Sequence, residues 1–144
     1  MTATTPESRR VLVTGASRGI GRAIAVALAR DGFAITACYH TAKDEAQRTV
    51  EQISTTGGVA ESLRLDVADR GTTAETLKAD LGENGSFYGV VCNAGIHSDA
   101  AFPALSGEAW DQVLRTNLDG FYNVLAPLVM PMVRARQGGR IVSL

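Results

Sequence analysis

The chain has 144 residues, of which 45% are hydrophobic and 20% charged, and its formal net charge is −1. This composition is typical of one globular domain with an apolar core, and the near-neutral charge disfavours a nucleic-acid partner. No apolar run reaches the roughly 20 residues that span a membrane, and the two histidines and two cysteines form no metal-binding pattern. Because the N-terminus is polar and lacks the apolar stretch of a signal peptide, we expect a cytoplasmic protein with reduced thiols.

Short apolar runs alternate with amphipathic segments along the chain. Residues 1–9 are predicted to form a disordered tail and residues 10–144 one dinucleotide-binding domain. Strands are predicted at 11–13, 33–39, 59–65, 88–92 and from 140 onward, and helices at 20–30, 42–54, 69–82 and 108–137. This alternation predicts an α/β fold, a Rossmann-type doubly wound parallel sheet with helices on both faces. Since the fifth strand has only begun at Leu144, we expect the domain to be C-terminally incomplete.

Two predicted helices carry further expectations about side chains. Helical spacing places one apolar face of the first helix toward the sheet, formed by Ile20, Ala23, Ile24, Ala27 and Leu28. In the long last helix, Pro127 and Pro131 are expected to produce a bend.

A glycine-rich turn, Thr14-Gly15-Ala16-Ser17-Arg18-Gly19-Ile20-Gly21, joins the first strand to the first helix. Glycine permits the tight turn and the close approach of a pyrophosphate to the backbone, and the helix N-terminus faces the anion. The turn therefore predicts a dinucleotide site at Thr14, Gly15, Ser17, Arg18, Gly19, Ile20 and Gly21.

The other strand exits should meet this turn at one edge of the sheet. His40 stands where an NAD-binding protein places an acid, so Arg18 and His40 favour NADP(H), although both could be solvated loop residues. Asp66 and Val67 follow the third strand, where the carboxylate either contacts adenine or caps a turn. After the fourth strand, Asn93, Ala94 and Gly95 either allow the backbone to approach the ligand or form an ordinary turn. Asn117, inside the long helix, is by itself more typical of an exposed position.

Taken together, these residues resemble the short-chain dehydrogenase/reductase family over essentially the whole chain from Arg9. The glycine-rich turn matches the family's cofactor turn, and Cys92-Asn93-Ala94-Gly95 matches its Asn-Asn-Ala-Gly element with Cys92 in place of the first asparagine. Asn117 matches the helix asparagine of the catalytic Asn/Ser/Tyr/Lys set, which implies that it holds a water in the proton relay. The other three catalytic residues are expected beyond Leu144, so this segment alone is expected to be inactive.

The branch most resembled is that of bacterial 3-oxoacyl-[acyl-carrier-protein] reductases of fatty acid biosynthesis. The features that fit it are Asn93-Ala94-Gly95-Ile96, Asp99, the helix entry at Trp110 and Arg115-Thr116-Asn117-Leu118. The resemblance implies NADPH-dependent reduction of the β-keto group of a thioester on acyl carrier protein, by a homotetramer. Two alternatives remain open: a sugar, polyol or steroid alcohol dehydrogenase, and a non-catalytic dinucleotide-binding fragment.

Overall fold

A five-stranded parallel sheet organises the computed structural model of the protein, which describes residues 9–144. Its strands stand in the order β3-β2-β1-β4-β5. They are β1 (Arg10–Val13), β2 (Ala34–Tyr39), β3 (Ala60–Arg64), β4 (Gly89–Cys92) and β5 (Arg140–Ser143). The predicted strands and the doubly wound fold class are confirmed, with strand ends shifted by no more than one residue.

Within residues 9–144, five helices cover this sheet: α1 (Gly19–Arg30), α2 (Lys43–Thr55), α3 (Arg70–Asn84), α4 (Gly107–Leu114) and α5 (Gly120–Ala135). A short 3-10 turn, Phe102–Ala104, precedes α4. Because parallel strands joined by helices all run the same way, β1 to β4 release the chain at one edge, called here the carboxyl edge.

The core has two layers, one on each face of the sheet. Leu12 of β1 packs in a cluster with residues of α3 and α5, including Leu77, Val124 and Leu128. Val11 and Val13, which point the opposite way, pack with the buried residues of α1 and α2. Because side chains alternate along β1, this strand packs against helices on both faces of the sheet, as the sequence predicts.

The predicted inner face of α1 is wrong. The buried residues of this helix are Gly21, Ala25, Val26 and Ala29, whereas Ile20 is 66% exposed. Of the predicted set, only Ile24 and Leu28 pack against the core, and both are partly buried. The helix starts so close to β1 that small residues must face the sheet, and this turns Ile20 toward the carboxyl edge.

The single long helix predicted at 108–137 is also corrected. A π turn at Arg115–Asp119 separates α4 from α5, and the amide of Gly120 donates to the carbonyl of Arg115. A Cβ on Gly120 would lie 2.9 Å from a methyl carbon of Val67, so the π turn coincides with a close approach of the helix to the β3 exit. The helix continues through Pro127 and Pro131 to Ala135 and is followed by Arg136, whose φ is +53°.

The opposite edge of the sheet, called here the amino edge, is closed by polar contacts of Arg10. Its guanidinium donates to Asp80 of α3 at 2.9 and 3.0 Å and to Thr36 and Glu61 on β2 and β3 at 3.2 Å. It also lies 4.2 Å above the ring of Phe87. Next to it, the carbonyl of Arg9 accepts the amide of Ala34, so the ordered sheet includes the last residue of the predicted tail. The remainder of that tail, 1–8, lies outside the described residues.

Candidate functional site: a dinucleotide cleft

An open cleft of about 1330 Å³ lies at the carboxyl edge, where the exits of β1, β2, β3 and β4 meet. It brings together all but one of the residues predicted to bind the cofactor, although they come from four separate segments of the chain. They are Thr14, Gly15, Ser17, Arg18, Gly19, Ile20, His40, Asp66, Val67, Asn93, Ala94 and Gly95. The exception, Gly21, does not line the cleft.

The three glycines of the turn have different physical roles. Gly15 and Gly19 have φ of +65° and +56°, a conformation that other residues adopt only with strain. A Cβ on Gly21 would lie 2.2 Å from the carbonyl oxygen of Gly15 and 2.5 Å from Nδ2 of Asn93. Gly21 is therefore required for packing of α1 against the turn, and contributes to the cleft only by allowing this approach.

The N-terminus of α1 points unpaired donors toward the cleft. Among residues 9–144 no side chain caps this helix, and its first turn contains no acidic residue. Arg18, at the N-cap, is extended and exposed. Uncapped amides and the positive end of the helix dipole together favour an anion at this position.

Thr14 and Asn93 join the exits of β1 and β4. The hydroxyl of Thr14 accepts the amides of Asn93 and Ala94, both at 3.0 Å, and the Asn93 side chain donates to the carbonyls of Thr14 and Gly15 at 3.0 and 3.3 Å. The Asn93 side chain therefore braces the exit of β1 against that of β4. Thr14 is buried, and most of its hydrogen bonds join the strands beneath the cleft.

At the far end of the cleft, His40 and Asp66 face each other across the exits of β2 and β3. Nε2 of His40 lies 3.5 Å from Oδ2 of Asp66, while Oδ1 accepts the amide of Ala68 at 3.1 Å. One oxygen of Asp66 therefore caps a turn, while its contact with adenine remains a prediction. Arg18 also lines this cleft and, within residues 9–144, has no carboxylate at ion-pair distance.

The wall formed by Asp66 and Val67 is fixed by side chains that the sequence interpretation missed. The Thr73 hydroxyl donates to the Asp66 carbonyl at 2.8 Å, and the buried Asn123 side chain donates to the Val67 carbonyl at 2.9 Å. Arg70 donates in turn to Asn123 at 3.0 Å. An asparagine within an apolar helical stripe was the available signal for this wall; the same pattern occurs at Asn117, whose role was assigned by the family resemblance.

Asn117, in the π turn, holds the loop that follows β4. Its side-chain oxygen accepts the amide of Ile96 and its side-chain nitrogen donates to the carbonyl of Ile96, both at 2.8 Å. A Cβ on Gly95 would lie 3.4 Å from the same oxygen. Both ends of the amide are therefore paired with backbone, which fixes the loop at the edge of the cleft.

The two cysteines near the cleft have thiols with raised pKa values. Cys38 and Cys92 are free thiols, and burial raises the pKa of Cys92 to about 11 and that of Cys38 further still. Thiols with raised pKa are poor nucleophiles at neutral pH.

Within the described residues, no group of three His, Cys, Asp or Glu side chains could hold a metal ion. No helix in the same part of the chain is long and apolar enough to cross a membrane.

Comparison with known proteins agrees with this geometry. Residues 9–144 match the short chain dehydrogenase family. The chain is 50% identical over 137 residues to the 3-oxoacyl-[acyl-carrier-protein] reductase FabG of Aggregatibacter actinomycetemcomitans, which covers 95% of this chain and 57% of that protein. The chain spans little more than half the length of the curated relatives it matches, 57% of this one and 54% of the Staphylococcus aureus FabG.

Two solved structures show the same architecture. A metagenomic short-chain oxidoreductase in complex with NADP has a TM-score of 0.88 and 28% identity, covering 94% of this chain and 61% of the other. An alcohol dehydrogenase from the archaeon Thermococcus sibiricus, complexed with 5-hydroxy-NADP, has a TM-score of 0.86 and 32% identity, covering 95% and 57%. With a family match over residues 9–144 and the cleft in the expected place, the chain belongs to the short-chain dehydrogenase family.

Proposed function

We propose that the full-length protein is an NADPH-dependent ketoreductase that acts on the β-keto group of a 3-oxoacyl thioester. The observation that carries the cofactor assignment is Arg18, a cation that lines the cleft without a carboxylate partner in residues 9–144. The substrate assignment is supported by 50% identity to a 3-oxoacyl-[acyl-carrier-protein] reductase.

The residues of the cleft fit this cofactor along its length. The uncapped N-terminus of α1 and the turn at Ser17 and Gly19 would hold the pyrophosphate. Arg18 and His40 would hold the 2′-phosphate by charge-assisted hydrogen bonds. An acidic residue at either position would instead repel this phosphate. Asp66 and Val67 would contact the adenine.

The exit of β4 would hold the nicotinamide half. Asn93, Ala94 and Gly95 line the cleft there, and their small side chains let the backbone approach a ring. When bound, NADPH supplies the hydride that reduces a carbonyl carbon, while the protein orients the cofactor and provides the surrounding electrostatic field. The loop after β4, which Asn117 holds, would form the border of the nicotinamide half of the site.

Asn117 is the catalytic residue that we propose within this chain. Its resemblance to the family's helix asparagine supports a role in the proton relay to the carbonyl oxygen. The π turn around it is a second support, since π turns occur frequently at functional sites. The serine, tyrosine and lysine of the same set are proposed to belong to the remainder of the full-length protein.

The proposal extends to the surroundings of the enzyme. Acyl carrier protein would present the substrate, the enzyme would be a cytoplasmic homotetramer, and neither nucleic acid nor a membrane would be a partner. The reaction would belong to fatty acid biosynthesis.

Substrate-dependent oxidation of NADPH by the purified full-length protein tests this function. We expect faster turnover with acetoacetyl thioesters than with sugar, polyol or steroid ketones, and lower turnover with NADH than with NADPH. If the protein oxidises NADPH with a sugar or steroid ketone but not with any 3-oxoacyl thioester tested, it would belong to the alternative dehydrogenase class. Binding of NADPH without turnover of any ketone would favour the non-catalytic alternative.

A further inference from the structure

Behind the glycine-rich turn, on the side away from the cleft, α1 and α2 are joined by a network of side chains from Arg22, Glu45 and Thr49. We propose that Arg22 and Thr49 are positioning residues that orient the peptide groups of the turn, so that its amides face the pyrophosphate. This inference rests on the proposed binding of NADPH and concerns residues outside the cleft lining.

Thr49 holds the first of these peptide groups. Its side chain is fully buried, and its hydroxyl lies 3.0 Å from the carbonyl of Ala16. Nε of Arg22 lies 2.9 Å from the same hydroxyl oxygen and can only donate to it. The hydroxyl proton is therefore left for a carbonyl, that of Ala16 or, at 3.2 Å, that of Glu45.

Arg22 holds the second peptide group. Its terminal nitrogen Nη2 donates to the carbonyl of Ser17, next to the carbonyl held by Thr49. The same nitrogen donates to a carboxylate oxygen of Glu45 at 2.7 Å and to the Glu45 carbonyl at 3.0 Å. With the Thr49 hydroxyl at Nε, the guanidinium contacts four oxygens, and the two hydrogens of Nη2 are shared among three of them, one of which belongs to the turn.

These two contacts determine where the turn's amides point. In a trans peptide the carbonyl and the next amide point in opposite directions. The carbonyls of Ala16 and Ser17 are directed toward Thr49 and Arg22, so the amides of Ser17 and Arg18 are directed away from these side chains. Within residues 9–144 neither amide has a hydrogen-bond acceptor, and both residues line the cleft.

Two arginines, Arg18 within the turn and Arg22 directly after it, therefore have different roles. Arg18 lines the cleft, whereas Arg22 does not and is held by Glu45 at ion-pair distance. The hydrogen bond from Arg22 holds the pKa of Glu45 below its ordinary value, which keeps the partner carboxylate charged. Fixed in this way, Arg22 acts on the bound anion through the backbone of the turn.

Substitutions at Thr49 and Arg22 in the full-length protein test the proposal by ligand binding. The probes are NADPH, ADP and adenosine 2′-monophosphate, of which only the last lacks the pyrophosphate. Thr49→Val and Arg22→Met are expected to raise the Kd for NADPH and ADP about tenfold, the scale of a lost hydrogen bond to a charged group. The Kd for adenosine 2′-monophosphate should stay near the wild-type value.

Two further variants serve as controls. Thr49→Ser keeps the hydroxyl and should bind all three probes like the wild type. Arg48→Ala removes another cation that contacts Glu45 but does not touch the turn, and it should also bind normally. Because Arg22 is partly exposed, Arg22→Met remains available if Thr49→Val fails to fold.

The outcomes separate this inference from the proposed function. Unchanged NADPH and ADP affinity in Arg22→Met and Thr49→Val, or an equal loss for all three probes, would overturn the positioning role. If the wild type binds ADP but not NADPH, the cofactor assignment fails while the ADP comparison still decides the positioning role. If it binds neither, both fail.

Discussion

The two edges of the parallel sheet differ in how an arginine at each edge, Arg10 or Arg18, is bonded to the rest of the protein. At the amino edge, Arg10 is bonded to Asp80, Thr36, Glu61 and the carbonyl of Gly85 and is stacked on Phe87. At the carboxyl edge, Arg18 is exposed and has no carboxylate partner in residues 9–144. Polar groups whose partners come from the protein stabilise the fold, whereas those without one are available to a ligand.

The same contrast holds for the backbone at the two edges. The carbonyl of Arg9 and that of Arg10 accept the amides of Ala34 and Tyr88, which extends the sheet at the amino edge. At the carboxyl edge, the turn leaves the amides of Ser17 and Arg18 without acceptors in the described chain. We therefore expect substitutions at the amino edge to change stability and those at the carboxyl edge to change binding.

The largest effect is expected at Gly21, where packing and binding coincide. Gly21→Ala would place a Cβ 2.2 Å from the Gly15 carbonyl oxygen, so α1 must move away from the turn. We expect a loss of about 4–5 kcal/mol or more in the free energy of unfolding, together with loss of NADPH binding. Urea unfolding and fluorescence titration measure the two.

Gly82→Ala is the matched control for Gly21. Gly82 lies on the exposed face of α3 and a Cβ there would meet nothing within 4 Å. The control should gain roughly 0.5–1 kcal/mol, the helical preference of alanine over glycine. Similar unfolding curves for the two variants would contradict the packing role of Gly21.

At the amino edge, Asp80→Ala should reduce stability without touching the cleft. The side chains of Arg10 and Asp80 are 14% and 6% exposed, so removing the carboxylate leaves a largely buried cation without its main partner. We expect a loss of about 3–5 kcal/mol in the free energy of unfolding. Glu61→Ala, which removes the more exposed partner of Arg10, should cost less than about 1 kcal/mol.

The NADPH affinity of folded Asp80→Ala should equal that of the wild type, measured where the variant is fully folded. A changed affinity would show that the two edges are coupled, and the comparison between them would then fail.

A smaller effect, on turnover, is expected for Asn117→Ala in the full-length protein. Losing both hydrogen bonds to Ile96 frees the loop beside the nicotinamide half of the cleft. We expect the turnover number to fall about tenfold or more, with little change in the Kd of NADPH. Asn84→Ala, which loses one hydrogen bond at the amino edge, is the control and should keep normal turnover.

The smallest effect is a pH dependence that involves Glu45. The hydrogen bond from Arg22, assisted by the charges of Arg48 and Arg18, lowers the pKa of Glu45 against the opposing effect of burial. A carboxyl whose pKa is lower in the folded state stabilises the fold above the ordinary pKa, and this contribution is lost as the pH falls through the lowered value. The stability difference between wild type and Glu45→Gln should therefore shrink as the pH falls from neutral into the acid range below the ordinary glutamate pKa. A difference that grows over this range would contradict the lowered pKa.

The sequence predicts the fold well because the signals are local. Apolar runs such as 11–13 and 88–92 mark strands, and Gly15 marks the turn between strand and helix. Because parallel strands release the chain at one edge, the residues after each strand could be assigned to one site before any side-chain geometry was known.

Features that depend on partners distant in sequence were not predictable. Arg10 and Asp80 are 70 residues apart, and Arg22 and Thr49 are 27 apart, so no local pattern links them. The face of α1 was misassigned because Ile20 fits the apolar period but lies at the cleft. The π turn left only an indirect signal, an asparagine at position 117 within an apolar helix.

The cofactor preference at Arg18 tests the account most directly. The measurement compares the Kd of NADPH and NADH for the wild type, Arg18→Glu and Arg30→Glu, which makes the same charge change in the last turn of α1. We expect Arg18→Glu to weaken NADPH binding tenfold or more, on the scale of a lost charge-assisted hydrogen bond, with a much smaller change for NADH. Arg30→Glu should leave the preference for NADPH unchanged. Equal losses for the two cofactors in Arg18→Glu would contradict the assignment of this edge as an NADP site.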